Sequence, residues 1–224
     1  MKDASANQEQ KRAVAVRAAA LVVGGQTVGL GTGSTAAFFI EDLGRRVREE
    51  RLSLKCVVTS FSSSVLARDH GLSVFPLDDF DALDISVDGA DEIDSSMCLI
   101  KGGGAAHTRE KLVHAMSKRF VVIADASKRV SKLGEKFPVP VECIPPAVRF
   151  VERKLRELGG KPSVRFAKGG KDGPIVTDNG NLIIDVLLDM NSPEKMEREI
   201  NSIPGVLDNG IFAITKPSEA FIAE

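Results

Sequence analysis

The sequence predicts an α/β protein, with a parallel sheet covered by helices on both faces followed by a smaller α+β unit. Three observations predict it. Short apolar runs alternate with apolar residues at helical spacing from Val14 to Asp125. A proline-rich stretch at 137–146, holding four of the ten prolines, then forces extended chain. Beyond it the order is helix, Asn-Gly hairpin, helix.

Taken in order, Val14, Ala18, Leu21 and Val22 mark a first helix, ended by Gly24-Gly25. Residues 27–30 read as a short buried strand. Ala36, Phe39, Ile40, Leu43 and Val47 lie on one face of an amphipathic helix. Residues 54–59 are a strand and 62–69 a short helix, and 72–77 and 85–88 are further strands. A helix over 108–117 carries Leu112, Val113 and Met116 on one side, and 120–125 is a strand. In the second part, Val148, Val151, Leu155 and Leu158 mark a helix capped by Gly159-Gly160. Residues 175–177 and 182–186 flank Asp178-Asn179-Gly180-Asn181, a hairpin signal. Ser192 is an N-cap and Pro193 the first helical residue of one more helix. The short apolar stretch 211–214 is placed back in the first sheet. The division expected is therefore 1–133 plus 206–224 for the large domain and 134–205 for the small one.

Composition narrows the function. Thirty basic residues against 31 acidic ones give a net charge of −1, with no basic stripe, which argues against electrostatic capture of nucleic acid. No apolar run approaches the ~20 residues of a membrane span. The first ten residues are polar and lack an apolar signal core. Cys56, Cys98 and Cys143 show no CxxC spacing, so they fit core positions in a reducing compartment better than a disulfide or zinc framework.

Three places carry chemistry. Gly29-Leu30-Gly31-Thr32-Gly33-Ser34-Thr35 lies between a strand and a helix, where backbone N–H groups and the helix dipole attract anions. It is neither a Walker A loop nor a GxGxxG turn, and the plainer reading is a tight turn capped by a hydroxyl. Asp88-Gly89-Ala90-Asp91-Glu92 starts at the C-terminal end of a strand, the end that faces the ligand crevice in open α/β sheets. Asp88 and Asp91 can converge on one ligand; a solvated acidic turn or a metal loop are the competing readings, and the spacing of a calcium loop is absent. Lys101-Gly102-Gly103-Gly104-Ala105-Ala106-His107-Thr108-Arg109-Glu110-Lys111 joins a cation, a glycine run and a carboxylate near a helix start. Taken alone Glu110 suits a dipole-complementing surface position, but a glycine triplet is costly without a close approach to serve. His107 and His114 are seven apart with no third metal ligand in view.

In this order and spacing, these motifs resemble the ribose-5-phosphate isomerases of type A. Thr59–Ser63, the ADASK run at 124–128, and the later VTDNGN and IPGV segments resemble that family as well, so the likeness covers nearly the whole chain. The resemblance implies a Rossmann-like catalytic domain and a ferredoxin-like small domain serving oligomerisation. It implies interconversion of D-ribose 5-phosphate and D-ribulose 5-phosphate through a cis-enediol(ate), in the cytoplasmic pentose phosphate pathway. Glu110 resembles the family's general base. Asp88, Asp91 and Lys101 resemble the polar cluster that opens the sugar ring and stabilises the intermediate. Thr32, Gly33, Ser34 and Thr35 resemble the loop beside the sugar phosphate. Lys128 resembles a phosphate-contacting lysine and Lys11 a further one, and Gly89, Ala90, Gly102, Gly103 and Gly104 complete the substrate-binding set. The resemblance implies no metal and no organic cofactor, no nucleic acid or membrane partner, and a homodimer or homotetramer. Two alternatives stand beside it: an isomerase of a related sugar phosphate, and a non-catalytic sugar-phosphate sensor, which would need the phosphate loop but not Glu110.

Overall fold

The computed structural model describes residues 4–167, 169 and 172–223. Of the polar N-terminal stretch, Met1, Lys2 and Asp3 lie outside the described residues. The elements are α1 (Ala4–Ala19), β1 (Thr27–Leu30), α2 (Ser34–Glu50), β2 (Lys55–Val58), α3 (Phe61–Asp69), β3 (Ile85–Asp88), β4 (Glu92–Ile93), β5 (Leu99–Ile100), α4 (His107–Ala115), β6 (Phe120–Ala124), β7 (Val139–Cys143), α5 (Val148–Glu157), β8 (Lys161–Val164), β9 (Leu182–Leu187), α6 (Pro193–Asn201), β10 (Val206–Asn209), β11 (Ile211–Phe212) and β12 (Glu219–Ile222). Two compact units emerge: Met1–Ala90, Arg109–Lys128 and Pro217–Glu224 make the first, Asp91–Thr108 and Arg129–Lys216 the second.

In the first unit five parallel strands run in the order β12-β6-β3-β1-β2. Strand side chains alternate between faces. Val28, Leu30, Ile85, Val87, Val121 and Ile123 point to one face and pack with Val14, Ala18, Phe39, Ile40 and Leu43 from α1 and α2. Gly29 and Ser86 point to the other face, where α4 lies: a Cβ on Gly29 would stand 2.6 Å from Val113 Cγ1 and 2.7 Å from Ser86 Cβ. Chain order reverses at β1/β3, because β1 leads outward to β2 and β3 continues on the opposite side. That is the switch point at which open α/β sheets bind ligands.

The second unit follows β7-α5-β8-β9-α6-β10, with an antiparallel sheet in the order β10-β7-β9-β8. This is the split β-α-β arrangement of ferredoxin-like domains. Val139, Val141, Cys143, Val151, Leu155, Ile184, Val186 and Ile200 form its core. Gly159 takes φ 85° after α5, and Gly180 φ 80° in the Asn-Gly turn, conformations open to glycine. A small three-stranded antiparallel sheet, β11-β5-β4, belongs to this unit too.

Several expectations need correction. Residues 72–77 form one bridge, Val74 to Cys56, and then a single turn at Leu77–Asp79, because Pro76 sits where a strand would need an N–H. The stretch 211–214 does not return to the first sheet: Ile211 and Phe212 pair with β5, and β12 makes the return. The first helix ends at Ala19, short of Val22. Ser192 stands at the N-cap of α6 without a side-chain cap bond, so Pro193 sets that helix start. The observed unit boundaries also differ from 134 and 205, since the pairing of β4, β5 and β11 keeps 91–108 and 206–216 with the second unit.

Candidate active site

In the first unit the predicted residues gather at the C-terminal ends of β1, β3 and β6. Strand β1 ends at Leu30, and Gly31 donates to Val87 O at 2.9 Å. Only glycine fits there, because a Cβ would stand 2.2 Å from Asp88 Cγ. That closeness lets the Thr32 N–H donate to Asp88 Oδ1 at 3.0 Å, and the Gly89 N–H donates to the same oxygen at 2.7 Å. Gly33 takes φ 112° and starts α2 without a side-chain cap, so its first-turn N–H groups and dipole favour a negative charge. Ser34 is exposed and Thr35 buried at this start. Lys11 from α1 donates to Ser34 Oγ at 3.1 Å. The Thr32 hydroxyl meets Thr59 Oγ1 at 2.7 Å, Ser60 Oγ at 2.8 Å and Ser63 Oγ at 3.1 Å, and Ser63 Oγ donates to Gly31 O at 2.6 Å. The loop is thus held from below by hydroxyls of the 59–63 segment.

After β6, Asp125 accepts from the backbone N–H and the hydroxyl of Ser127, and Lys128 N donates to Asp125 O at 3.1 Å. Burial pushes the Asp125 carboxyl up, but the Ser127 donors and the charges of Lys128 and Lys11 outweigh it and hold the group below the ordinary carboxylate range. Both predicted phosphate lysines therefore act on one carboxylate. Asp88 ends β3 and is fully buried, and Gly89 and Ala90 follow it half-buried. Glu110 lies in the first turn of α4 with 3% of its surface exposed. One turn on, His114 Nε2 lies 3.0 Å from Asp88 Oδ2 and Nδ1 2.9 Å from Ser86 Oγ, with its ring stacked on Phe120 at 3.8 Å.

The second unit holds the remaining predicted residues. Asp91 N donates to Ile100 O at 2.8 Å, and Asp91 Oδ2 accepts from Gly103 N at 2.8 Å. Lys101 is 3% exposed, its N–H donates to Gly210 O at 2.9 Å, and its ammonium lies 5.7 Å from the Phe212 ring centre. Gly102 has φ 105°, and a Cβ there would meet His107 Nδ1 at 2.7 Å. Gly103 and Gly104 are exposed. Arg165, which sequence reading passed over, forks onto Asp185 at 2.8 and 2.5 Å and donates to Gly102 O at 2.8 Å and Gly103 O at 3.1 Å. His107 Nε2 lies 3.3 Å from Asp208 O. Among the described residues no group of three or more His, Cys, Asp or Glu side chains is placed to hold a metal ion. His114 was noted in the sequence only as a possible metal partner of His107; its spacing of four from Glu110 was the signal that it shares a helix face with that carboxylate. Arg165 carried no such signal, because its carboxylate lies 20 residues away on a neighbouring strand.

These features match known proteins. The family model of ribose 5-phosphate isomerase A (phosphoriboisomerase A) matches residues 55–224. The ribose-5-phosphate isomerase A of Thermosynechococcus vestitus is 52% identical over 207 residues, 92% of this chain and 87% of that one. The solved structure of ribose 5-phosphate isomerase A from Methanocaldococcus jannaschii superposes with TM-score 0.94 at 48% identity, covering 97% of this chain and 96% of that one. A D-ribose-5-phosphate isomerase solved in complex with phospho-erythronic acid superposes with TM-score 0.92 at 40% identity, covering 96% and 94%.

Proposed function

Because this chain belongs to the ribose 5-phosphate isomerase A family, and so interconverts D-ribose 5-phosphate and D-ribulose 5-phosphate in the pentose phosphate pathway, we propose that Glu110 is the base that moves the proton. Aldose–ketose isomerisation removes a proton from one carbon and returns one to its neighbour, with negative charge on the flanking oxygens between the two steps. One carboxylate can serve both carbons. Glu110 is nearly buried in the first turn of a helix, a fixed position away from bulk water. Asp88 and Asp91 shift hydroxyl protons during ring opening and enediolate formation. The Lys101 ammonium stabilises the enediolate oxygens, as fixed positive charge in a water-poor setting does. Gly102, Gly103 and Gly104 bring backbone close to the sugar.

The observation that carries this reading is the Asp88 carboxylate, bound to the N–H groups of Thr32 and Gly89 at the switch point of the sheet. It ties the anion-binding loop to the acid-bearing strand. The loop Thr32, Gly33, Ser34 and Thr35, with Lys11 and Lys128, takes the phosphate. The binding energy of that remote group holds the reacting carbons in register. Phospho-erythronic acid, bound by a relative, is itself a phosphorylated polyol acid. The family likeness supports a homodimer or homotetramer. Phe166, Leu187 and Leu207 stand half or more exposed on the second unit, which supports that unit as the oligomerisation domain. Three free, buried cysteines suit the reducing cytoplasm.

The reaction is tested by proton NMR of ribose 5-phosphate in D2O with EDTA present. The expected result is ribulose 5-phosphate with deuterium appearing at the carbon that receives the proton, at an undiminished rate with chelator. Activity lost to EDTA and restored by a divalent metal would contradict a reaction run by side chains alone.

A further inference from the structure

We propose that His114 is a positioning residue for Asp88: it holds that carboxylate through Nε2–H while Ser86 fixes the imidazole from the other side. The inference rests on the assignment of Asp88 to proton transfer at sugar hydroxyls.

Geometry carries it. Ser86 and Asp88 are two apart on β3 and so point to the same face of the sheet. Helix α4 covers that face, and His114 reaches both, Nδ1 at 2.9 Å from Ser86 Oγ and Nε2 at 3.0 Å from Asp88 Oδ2. The side chains of His114 and Asp88 are both 0% exposed. When Asp88 is ionised its carboxylate only accepts hydrogen bonds, so in that state Nε2 carries the proton. Nδ1 then accepts from the Ser86 hydroxyl in neutral imidazole, or donates to it in imidazolium. In either charge state the bond to Asp88 is kept. The ring lies flat on Phe120, 3.8 Å between centres and 7° between planes, which leaves it little freedom to turn. Asp88 thereby gains donors on both oxygens: Thr32 and Gly89 N–H on Oδ1, His114 on Oδ2.

The helix makes a second connection. Glu110 and His114 are four apart on α4, hence on one face, one turn from each other. The same helix places the carbon base and the group that orients the hydroxyl acid. Of the titratable groups that face His114, Asp88 comes from β3, and Glu110 and Lys111 lie one turn back on its own helix; β3 adds the Ser86 hydroxyl and β6 the Phe120 ring.

The test compares kcat and kcat/KM across pH for the wild type, H114N, S86A and D88N, with circular dichroism fixing the folded fraction of each. Nitrogen NMR of the wild-type imidazole accompanies it. H114N should lose roughly tenfold in kcat/KM, the scale of one hydrogen bond to a charged group. Its acid limb should move to higher pH, because a carboxylate that has lost a donor takes up a proton more readily. S86A should shift the limb the same way by less. In the wild type Nε2 should stay protonated across the active range. A folded H114N with the wild-type limb and turnover overturns the proposal, as does an unprotonated Nε2. If H114N does not fold, the S86A limb and the wild-type tautomer decide in the same way. D88N separates the two readings: an inactive D88N beside a normal H114N removes the His114 role alone, and an active D88N removes the proton-transfer assignment of Asp88 while leaving the tautomer result to stand.

Discussion

At Gly31 the backbone passes so close to Asp88 that no side chain fits: a Cβ would stand 2.2 Å from the carboxylate carbon. The contact aims the Thr32 N–H at Asp88 Oδ1 and fixes the start of the glycine-rich loop before α2. The variant G31A should therefore lose both turnover and about 1–3 kcal/mol of stability, the usual cost of overpacking a filled site. Urea unfolding and steady-state rates check this, and wild-type values for both would contradict it. The sequence showed a glycine-rich turn and an acid at a strand end, but not that the one exists to admit the other. Hydrogen-bond partners 56 residues apart are set by strand order, and strand order is not written in local spacing. The same holds for Arg165, whose fork onto Asp185 and onto the carbonyls of Gly102 and Gly103 required the β8–β9 pairing to bring it there. Glu110 was placed near a helix start by its own run of sequence, but its burial in the first turn of α4 was not readable, since taken alone it suited a surface position.

Among the elements, β7 shows how the second unit stabilises a buried charge. Glu142 on that strand is fully buried and accepts from Thr108, Thr177, Asn179 and Asn181. Burial alone raises its carboxyl, but these four donors outweigh burial and hold it below the ordinary value of 4.5. A depressed folded-state value means that the group contributes stability above its unfolded value and loses it as pH falls through the folded one. The urea midpoint should thus drop as the pH is lowered below about 4.5, and E142Q should flatten part of that slope. At neutral pH E142Q should cost about 1–3 kcal/mol, because two asparagine donors lose their charged acceptor. An unchanged midpoint at pH 7 would show that the network contributes nothing. Elements with strong local signals were legible: the amphipathic α2, the apolar β6, the Asn-Gly turn before β9, and extended chain, though not a strand, where β7 lies. Residues 72–77 were not, since an apolar run broken by Pro76 looks like a strand without supplying the N–H groups of one. Nor was the fate of 211–214, a short apolar run that suits any sheet edge.

For the whole molecule, the order β12-β6-β3-β1-β2 explains why residues 11, 32–35, 88 and 128 take part in one unit. Parallel strands bring their C-terminal ends to one edge, and the reversal at β1/β3 opens the crevice there. The alternation of strands and helices revealed the α/β class, and the change of texture near 134 revealed a second unit. The boundaries needed the pairing of β5 with β11, partners more than 100 residues apart, and of β4 with β5 beside it. The candidate site was more legible than the fold that builds it, because its motifs are compact runs carrying their own chemistry.

The central claim is that Glu110 moves the proton, and the most direct measurement is the rate of ribulose 5-phosphate formation by the wild type and E110Q in parallel, with both folds verified. Glutamine keeps the shape of the side chain and cannot accept the proton, so turnover should fall by roughly 10²-fold or more at an unchanged unfolding midpoint. A folded E110Q that turns over ribose 5-phosphate at near the wild-type rate would contradict the account.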